Sequence, residues 1–145
     1  MNKMNKNILV GLGSDGMNAS VYPEMRIANL IHKHDLKDSN IGWNEIQQIV
    51  LKNNAQVYQR ISGQKIGQIV PGYLADLILI DYYPPTKLTS ENIWGHILFG
   101  IADAQVDTTI INGRIVMQNK QIPGIDEEEI AEKSRDFADK VWRKF

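Results

Sequence analysis

The sequence predicts a mixed fold that grades from α/β into α+β, and three observations predict it. Near the N-terminus the run Ile8-Leu9-Val10-Gly11-Leu12 has strand length and is apolar at almost every position, the pattern of a strand covered on both faces in a parallel sheet. From residue 63 the spacing changes from helical to extended, and an Asn-Gly pair at 112–113 separates two apolar runs. The chain then ends in an amphipathic stretch at 126–145. These changes divide it into 1–62, 63–125 and 126–145.

The bounds on this reading are ordinary ones. A chain of 145 residues suffices for one domain with a core, or for a piece of a larger one. A hydrophobic content of 43%, 23% charged residues and a formal net charge of −1 fit a globular protein and give no electrostatic reason for a nucleic-acid or membrane partner. With no cysteine, disulfides and thiolate metal sites are excluded. No apolar run approaches the roughly 20 residues that span a bilayer, and the polar opening at 1–7 lacks the apolar core of a signal peptide. A cytoplasmic location is the expectation.

The first apolar run ends in Gly13-Ser14-Asp15-Gly16. Gly11, Gly13 and Gly16 permit a tight path where the chain leaves the strand, and such a path puts Asp15 just past a strand end, where α/β barrels gather catalytic groups. Glycine and aspartate are also common turn residues, so a plain turn is the competing reading. Only the polar lead-in precedes this run, which reads like the last strand of something whose beginning is absent.

A helix follows at about 21–34, with Ser20 as its N-cap, Pro23 in its first turn and Ile27, Ala28 and Ile31 on one face. His32 and His34 invite a metal reading. Residues two apart on a helix point about 200° away from each other, so they are rejected as ligands and read as cations at a helix C-terminus. A second helix is expected at 43–52 with Trp43, Ile46, Ile49 and Val50 as its stripe. Asn53 or Asn54 restarts a short helix through Val57 and Tyr58, and Ser62-Gly63 stops it.

Residues 65–69 form a short strand candidate, and Pro71-Gly72 fits the centre of a type II turn. Residues 75–81 read as an apolar strand bounded by Asp76 and Asp81, and Pro84-Pro85 breaks regular structure. Residues 92–99 suit a short helix or a turn. Residues 106–111 and 114–117 form a hairpin around Asn112-Gly113, a type I′ signal. In the last helix Asp126 is the cap, with Glu129 completing a box-like pair. The Glu127-Glu128-Glu129 run is helix electrostatics rather than a metal cluster.

The order of these signals carries a resemblance. A strand ending in Gly-Ser-Asp-Gly, two helices, the string Ile66-Gly67-Gln68-Ile69-Val70-Pro71-Gly72-Tyr73-Leu74-Ala75-Asp76-Leu77 and the later Ile110-Ile111-Asn112-Gly113-Arg114-Ile115-Val116 closely resemble the C-terminal part of the amidohydrolase superfamily. Within it, the chain looks most like aminohydrolases and chlorohydrolases related to nucleobase and triazine deaminases, from about Ile8 to Phe145.

That resemblance implies a (β/α)8 barrel with a small β-sandwich built from both chain ends. Residues 1–62 would be the C-terminal edge of the barrel (strand eight and the following helices). Residues 63–125 would be the sandwich segment and 126–145 the terminal helix. It also implies a divalent metal, zinc or iron, and a strand-eight aspartate that binds or adjoins it, helps deprotonate the hydrolytic water and passes a proton to the leaving group. By position that residue is Asp15, the one catalytic and metal-site candidate. The family's other ligands are histidines on earlier strands, and a complete barrel needs roughly 250 residues. His32-Lys33-His34 lies after Asp15, in the wrong place for the family's His-x-His pair. His96 is read as structural.

The leading expectation is therefore the C-terminal piece of a metal-dependent hydrolase acting on non-peptide C–N or C–Cl bonds of a small molecule, binding no metal and inactive by itself. A cut piece, a truncated reading frame and one half of a split enzyme all fit. The competing expectation is a noncatalytic, self-associating module that pairs its exposed edges at 8–10 and 75–80. A small unrelated α+β binding domain is the third and leaves the family-like strings unexplained.

Overall fold

The computed structural model describes residues 8–17 and 19–145, so the lead-in read at 1–7 lies outside the described residues. Pro23 stands in the first turn of α1 (Tyr22–Leu36), where its missing N–H breaks no helical bond. Val21 occupies the N-cap position that the sequence suggested for Ser20. The serine still serves that turn, because its hydroxyl accepts from the Tyr22 N–H at 3.3 Å. Lys37 ends the helix in the left-handed conformation, its N–H bonded to the His34 carbonyl. The buried face is Met25 and Asn29, with Ala28 beside it, while the expected stripe residues Ile27 and Ile31 are exposed.

The two expected helices after the connector are one uninterrupted helical run. It comprises α2 (Trp43–Gln47), a π-helical stretch (Gln48–Asn53) and α3 (Asn54–Ser62), and Gly63 stops it at φ 73°. An α-helix does begin at Asn54, with Asn53 at its N-cap position, but without a break in the run, and both carboxamides turn to the segment at 10–12. Ile46, Ile49 and Val50 from this run close on Met25 of α1 and on Trp94 and Leu98 of α4 (Ile93–Phe99). These six side chains are the core.

The run at 8–12 is not a strand. A strand exists only through a neighbour's ladder, and here side-chain amides take the place of a neighbouring backbone. Residues 65–69 likewise form no strand. Gly67 takes φ 86°, with the space for a Cβ only 3.1 Å from the Ala55 methyl of α3. Pro71-Gly72 makes the expected turn, with Gly72 at φ 87° and the Tyr73 N–H on the Val70 carbonyl.

A three-stranded antiparallel sheet follows in the order β1 (Leu77–Ile80), β2 (Val106–Ile111), β3 (Arg114–Met117). Leu77 faces Ile110, and Ile110 faces Ile115. Asn112 (φ 49°) and Gly113 (φ 77°) both take left-handed conformations, as a type I′ turn requires. Between β1 and β2, residues 92–99 resolve as the short helix α4, followed by a 3-10 turn at Ile101–Asp103. Arg26 of α1 pairs with Asp103 at 2.5 Å and so ties that turn to the helical half.

Helix α5 (Glu127–Trp142) is capped by Asp126, whose carboxylate accepts from the Glu128 and Glu129 N–H groups. The Glu129 carboxylate pairs with Lys133 rather than closing a capping box. Ile130, Phe137 and Trp142 are exposed along this helix. The whole chain exposes 11364 Å². A folded monomer of this mass exposes roughly 7,500 Å². Much apolar surface is therefore uncovered, including Ile78 and Leu79 on β1 and Ile115 on β3. No helix among the described residues is long and apolar enough to cross a membrane.

Candidate functional site

Asp15 lies where the segment at 8–14 turns toward α1. The Met17 N–H reaches back to the Ser14 carbonyl at 3.1 Å, closing a turn with Asp15 and Gly16 at its centre. Asp15 takes φ 51°, a left-handed conformation uncommon for any residue but glycine and asparagine or aspartate. Its Oδ1 accepts from the Gly16 N–H at 2.8 Å. The side chain is exposed, and no ion pair among the described residues involves it.

What holds this turn lies in the segment before it. The Asn54 carboxamide brackets Leu12: Oδ1 accepts from its N–H at 2.9 Å, and Nδ2 donates to its carbonyl at 2.9 Å. Asn53 adds a third bond, Nδ2 donating to the Val10 carbonyl at 2.7 Å, while its Oδ1 accepts from the Gln48 amide at 3.0 Å. Between these anchors sits Gly11, where a Cβ would stand 2.4 Å from Asn54 Oδ1. Only glycine allows the backbone and the carboxamide to come this close.

Asn53 and Asn54 stand at the helix start that the sequence suggests, but their contacts with residues 10–12 are not part of that reading. The signal was available: two adjacent asparagines inside a helical pattern are poor helix formers, whose amides compete for backbone elsewhere.

The other titratable candidates stand apart from Asp15. His32 is half-buried near Gly42, and His34 is exposed, its carbonyl taken up in the end of α1. Both nitrogens of His96 are engaged, Nδ1 with the Tyr82 hydroxyl at 2.7 Å and Nε2 with the Thr86 hydroxyl at 3.0 Å. Burial pushes the half-buried Tyr22 phenol above its ordinary value, so it stays protonated at neutral pH. Among the described residues no three His, Cys, Asp or Glu side chains gather closely enough to hold a metal ion. One exposed carboxylate is not a metal site, so the described residues do not by themselves fit a bound ion.

Residues 1–116 match the model of the amidohydrolase family. Among curated relatives, the chain is 31% identical over 143 residues to a 5'-deoxyadenosine deaminase of Methanococcus aeolicus, covering 95% of this chain and 32% of that protein. It is 34% identical over 145 residues to a 5-methylthioadenosine/S-adenosylhomocysteine deaminase of Acetivibrio thermocellus, covering 97% and 33%. Among solved structures, a zinc-bound adenosine deaminase from Xanthomonas campestris superimposes with a TM-score of 0.77 at 18% identity, over 94% of this chain and 32% of that one. An atrazine chlorohydrolase from Arthrobacter aurescens complexed with zinc gives 0.67 at 17%, over 89% and 29%. The chain spans about a third of the length of the curated relatives it matches.

Proposed function

This chain belongs to the amidohydrolase family, and from that premise we propose that it supplies the C-terminal, carboxylate-bearing portion of a metal-dependent hydrolase that deaminates a small molecule at an sp² carbon. The observation that carries the reading is the Asp15 turn: an exposed carboxylate, without an ion pair among the described residues, held left-handed between glycines at the end of an anchored segment. Residues 1–62 are then the C-terminal edge of the barrel (strand eight and the following helices), 63–125 the small sandwich segment and 126–145 the terminal helix.

Deamination is favoured over dechlorination by the names of the curated relatives. Their stated substrates, 5'-deoxyadenosine, 5-methylthioadenosine and S-adenosylhomocysteine, share the adenine amino group. The proposed substrate class is a 5'-modified adenosine. Water adds to the amino-bearing ring carbon, the carbon–nitrogen bond breaks, and ammonia leaves with a proton taken from that water. Asp15 accepts the water's proton and returns it to the leaving nitrogen, a task that needs a carboxylate free to change protonation state. The divalent metal, zinc or iron, supplies polarisation of the attacking water when it is bound by the complete enzyme. Its remaining ligands belong to segments outside this chain.

The test is complementation. The purified chain is mixed with the N-terminal two-thirds of the Methanococcus aeolicus relative and assayed for ammonia release from 5'-deoxyadenosine. Turnover is expected from the mixture, none from the chain alone, and none from the mixture carrying Asp15→Asn. Turnover by the chain alone, or an Asp15→Asn mixture as active as the parent, overturns the proposal.

The second reading, a noncatalytic module that associates with copies of itself, has one observation in its favour. The surface of 11364 Å² exceeds that of a folded monomer of this mass by about half. Either a complementing barrel segment or a second copy would cover it. Sedimentation of the chain with and without the relative's segment separates them. A homodimer that refuses the segment favours the module.

A further inference from the structure

We infer that Asn54, assisted by Asn53, is a positioning residue: its carboxamide bonds to residues 10–12 as a neighbouring strand would and thereby sets where Asp15 stands. The inference deepens the reading of Asp15 given above and rests on it for its catalytic meaning.

Three observations carry it. The bonds from Asn54 to Leu12 satisfy both its N–H and its carbonyl, the pair of contacts a ladder partner would make. Asn53 extends the grip to Val10, two residues earlier, which is the repeat at which an extended chain presents successive carbonyls to one side. Adjacent residues of a regular α-helix diverge by about 100° and would not normally serve one segment. Here Asn53 ends a π-helical stretch and Asn54 begins the next α-turn, and both carboxamides reach the same run of backbone. A π-helical turn inside an α-helical run recurs at functional sites.

The approach is also specific to this pair of positions. Gly11 lies against Asn54 so closely that any side chain there would collide with Oδ1. An alanine at this position has to push the Asn54 carboxamide off its bonds to Leu12. Only Gly13 and Ser14 separate Leu12 from Asp15, which sits in the turn closed by the Ser14–Met17 bond. Displacement at Leu12 is therefore passed to the carboxylate rather than absorbed by a long loop.

The experiment uses the whole chain, isotopically labelled, with NMR readouts at three places. Leu12 amide exchange reports the clamp, and the Gly16 amide and Asp15 carboxyl resonances report the carboxylate's placement. Exchange at Ile49 and Leu98 reports the core. Asn54→Ala is expected to speed Leu12 exchange about tenfold and to shift the Gly16 and Asp15 signals, with Ile49 and Leu98 unchanged. Gly11→Ala perturbs the same contact from the other side and is expected to move the same signals in the same direction. Combined with Asn54→Ala it should add nothing, because the collision is gone.

Unmoved Gly16 and Asp15 signals alongside faster Leu12 exchange overturn the inference, since the clamp then ends at residue 12. Loss of protection at Ile49 and Leu98 in both single variants also overturns it, since the asparagine is then only a fold residue. The complementation assay with Asp15→Asn fails or succeeds independently of these signals. A standing clamp beside an active Asp15→Asn enzyme would reject the functional reading alone.

Discussion

The Tyr82 hydroxyl meets Nδ1 of His96 at 2.7 Å, with the two rings edge-on and their centres 5.8 Å apart. The contact joins the segment after β1 to helix α4, and Gly100 makes it possible. A Cβ at Gly100 would lie 2.4 Å from the Tyr82 hydroxyl oxygen. With Thr86 on Nε2, the imidazole is fully occupied, which agrees with reading His96 as structural.

Tyr82→Phe is therefore expected to destabilise the chain by about 1 kcal/mol, because a half-buried Nδ1 loses its partner. Gly100→Ala should cost about 1–3 kcal/mol, since the phenol ring must be driven from its seat. Denaturant midpoints for the two variants check both values. If both unfold at the parent midpoint, this contact contributes nothing to stability.

A pH dependence follows at the start of α4. Bonds from Thr89, then Ser90, then the backbone of Glu91 itself hold the Glu91 carboxyl below its ordinary value of 4.5. A lowered folded value means the ionised form is favoured by folding. The resulting stabilisation is present above pH 4.5 and is lost as the pH falls through the folded value. Carboxyl titration of Glu91 by NMR should give a midpoint below 4.5, and Ser90→Ala should raise it. A Ser90→Ala midpoint no higher than the parent's would remove the serine from the account.

How much of this was legible in the sequence depends on whether a feature is local. The hairpin at Asn112-Gly113, the stop at Gly63, the turn at Pro71-Gly72 and the Asp126 cap each follow from one residue's conformational preference, and all are found. The strings on either side of the sheet were legible, but their meeting was not. The Asp76 carboxylate accepts from the Asn112 N–H at 2.7 Å, and the Ala75 carbonyl accepts from Gly113 at 2.9 Å. Strands 8–12 and 65–69 failed for a physical reason: apolar composition announces burial, while strand structure needs a partner. Asp15 was legible as a candidate from its glycines. The clamp behind it joins residues 42 positions apart, a separation no local pattern encodes.

Asn29 offers a stability test of the core. It is fully buried on α1, and among the described residues neither its Oδ1 nor its Nδ2 finds a hydrogen-bond partner. Gly42 lies beside it, where an added Cβ would stand 3.0 Å from Nδ2 and where φ is 88°, so this wall cannot give way to a larger residue. A buried, unpaired amide costs about 1–3 kcal/mol. Leucine has the same branching as asparagine and replaces both polar atoms with methyl groups that suit neighbours such as Met25. Asn29→Leu is therefore expected to stabilise the chain by about 1–2 kcal/mol, less whatever the larger methyls cost in crowding against Gly42. Thermal melting decides it. A lower melting temperature for Asn29→Leu, with Asn29→Ala lower still, would mean that the amide is satisfied in solution, for instance by a buried water.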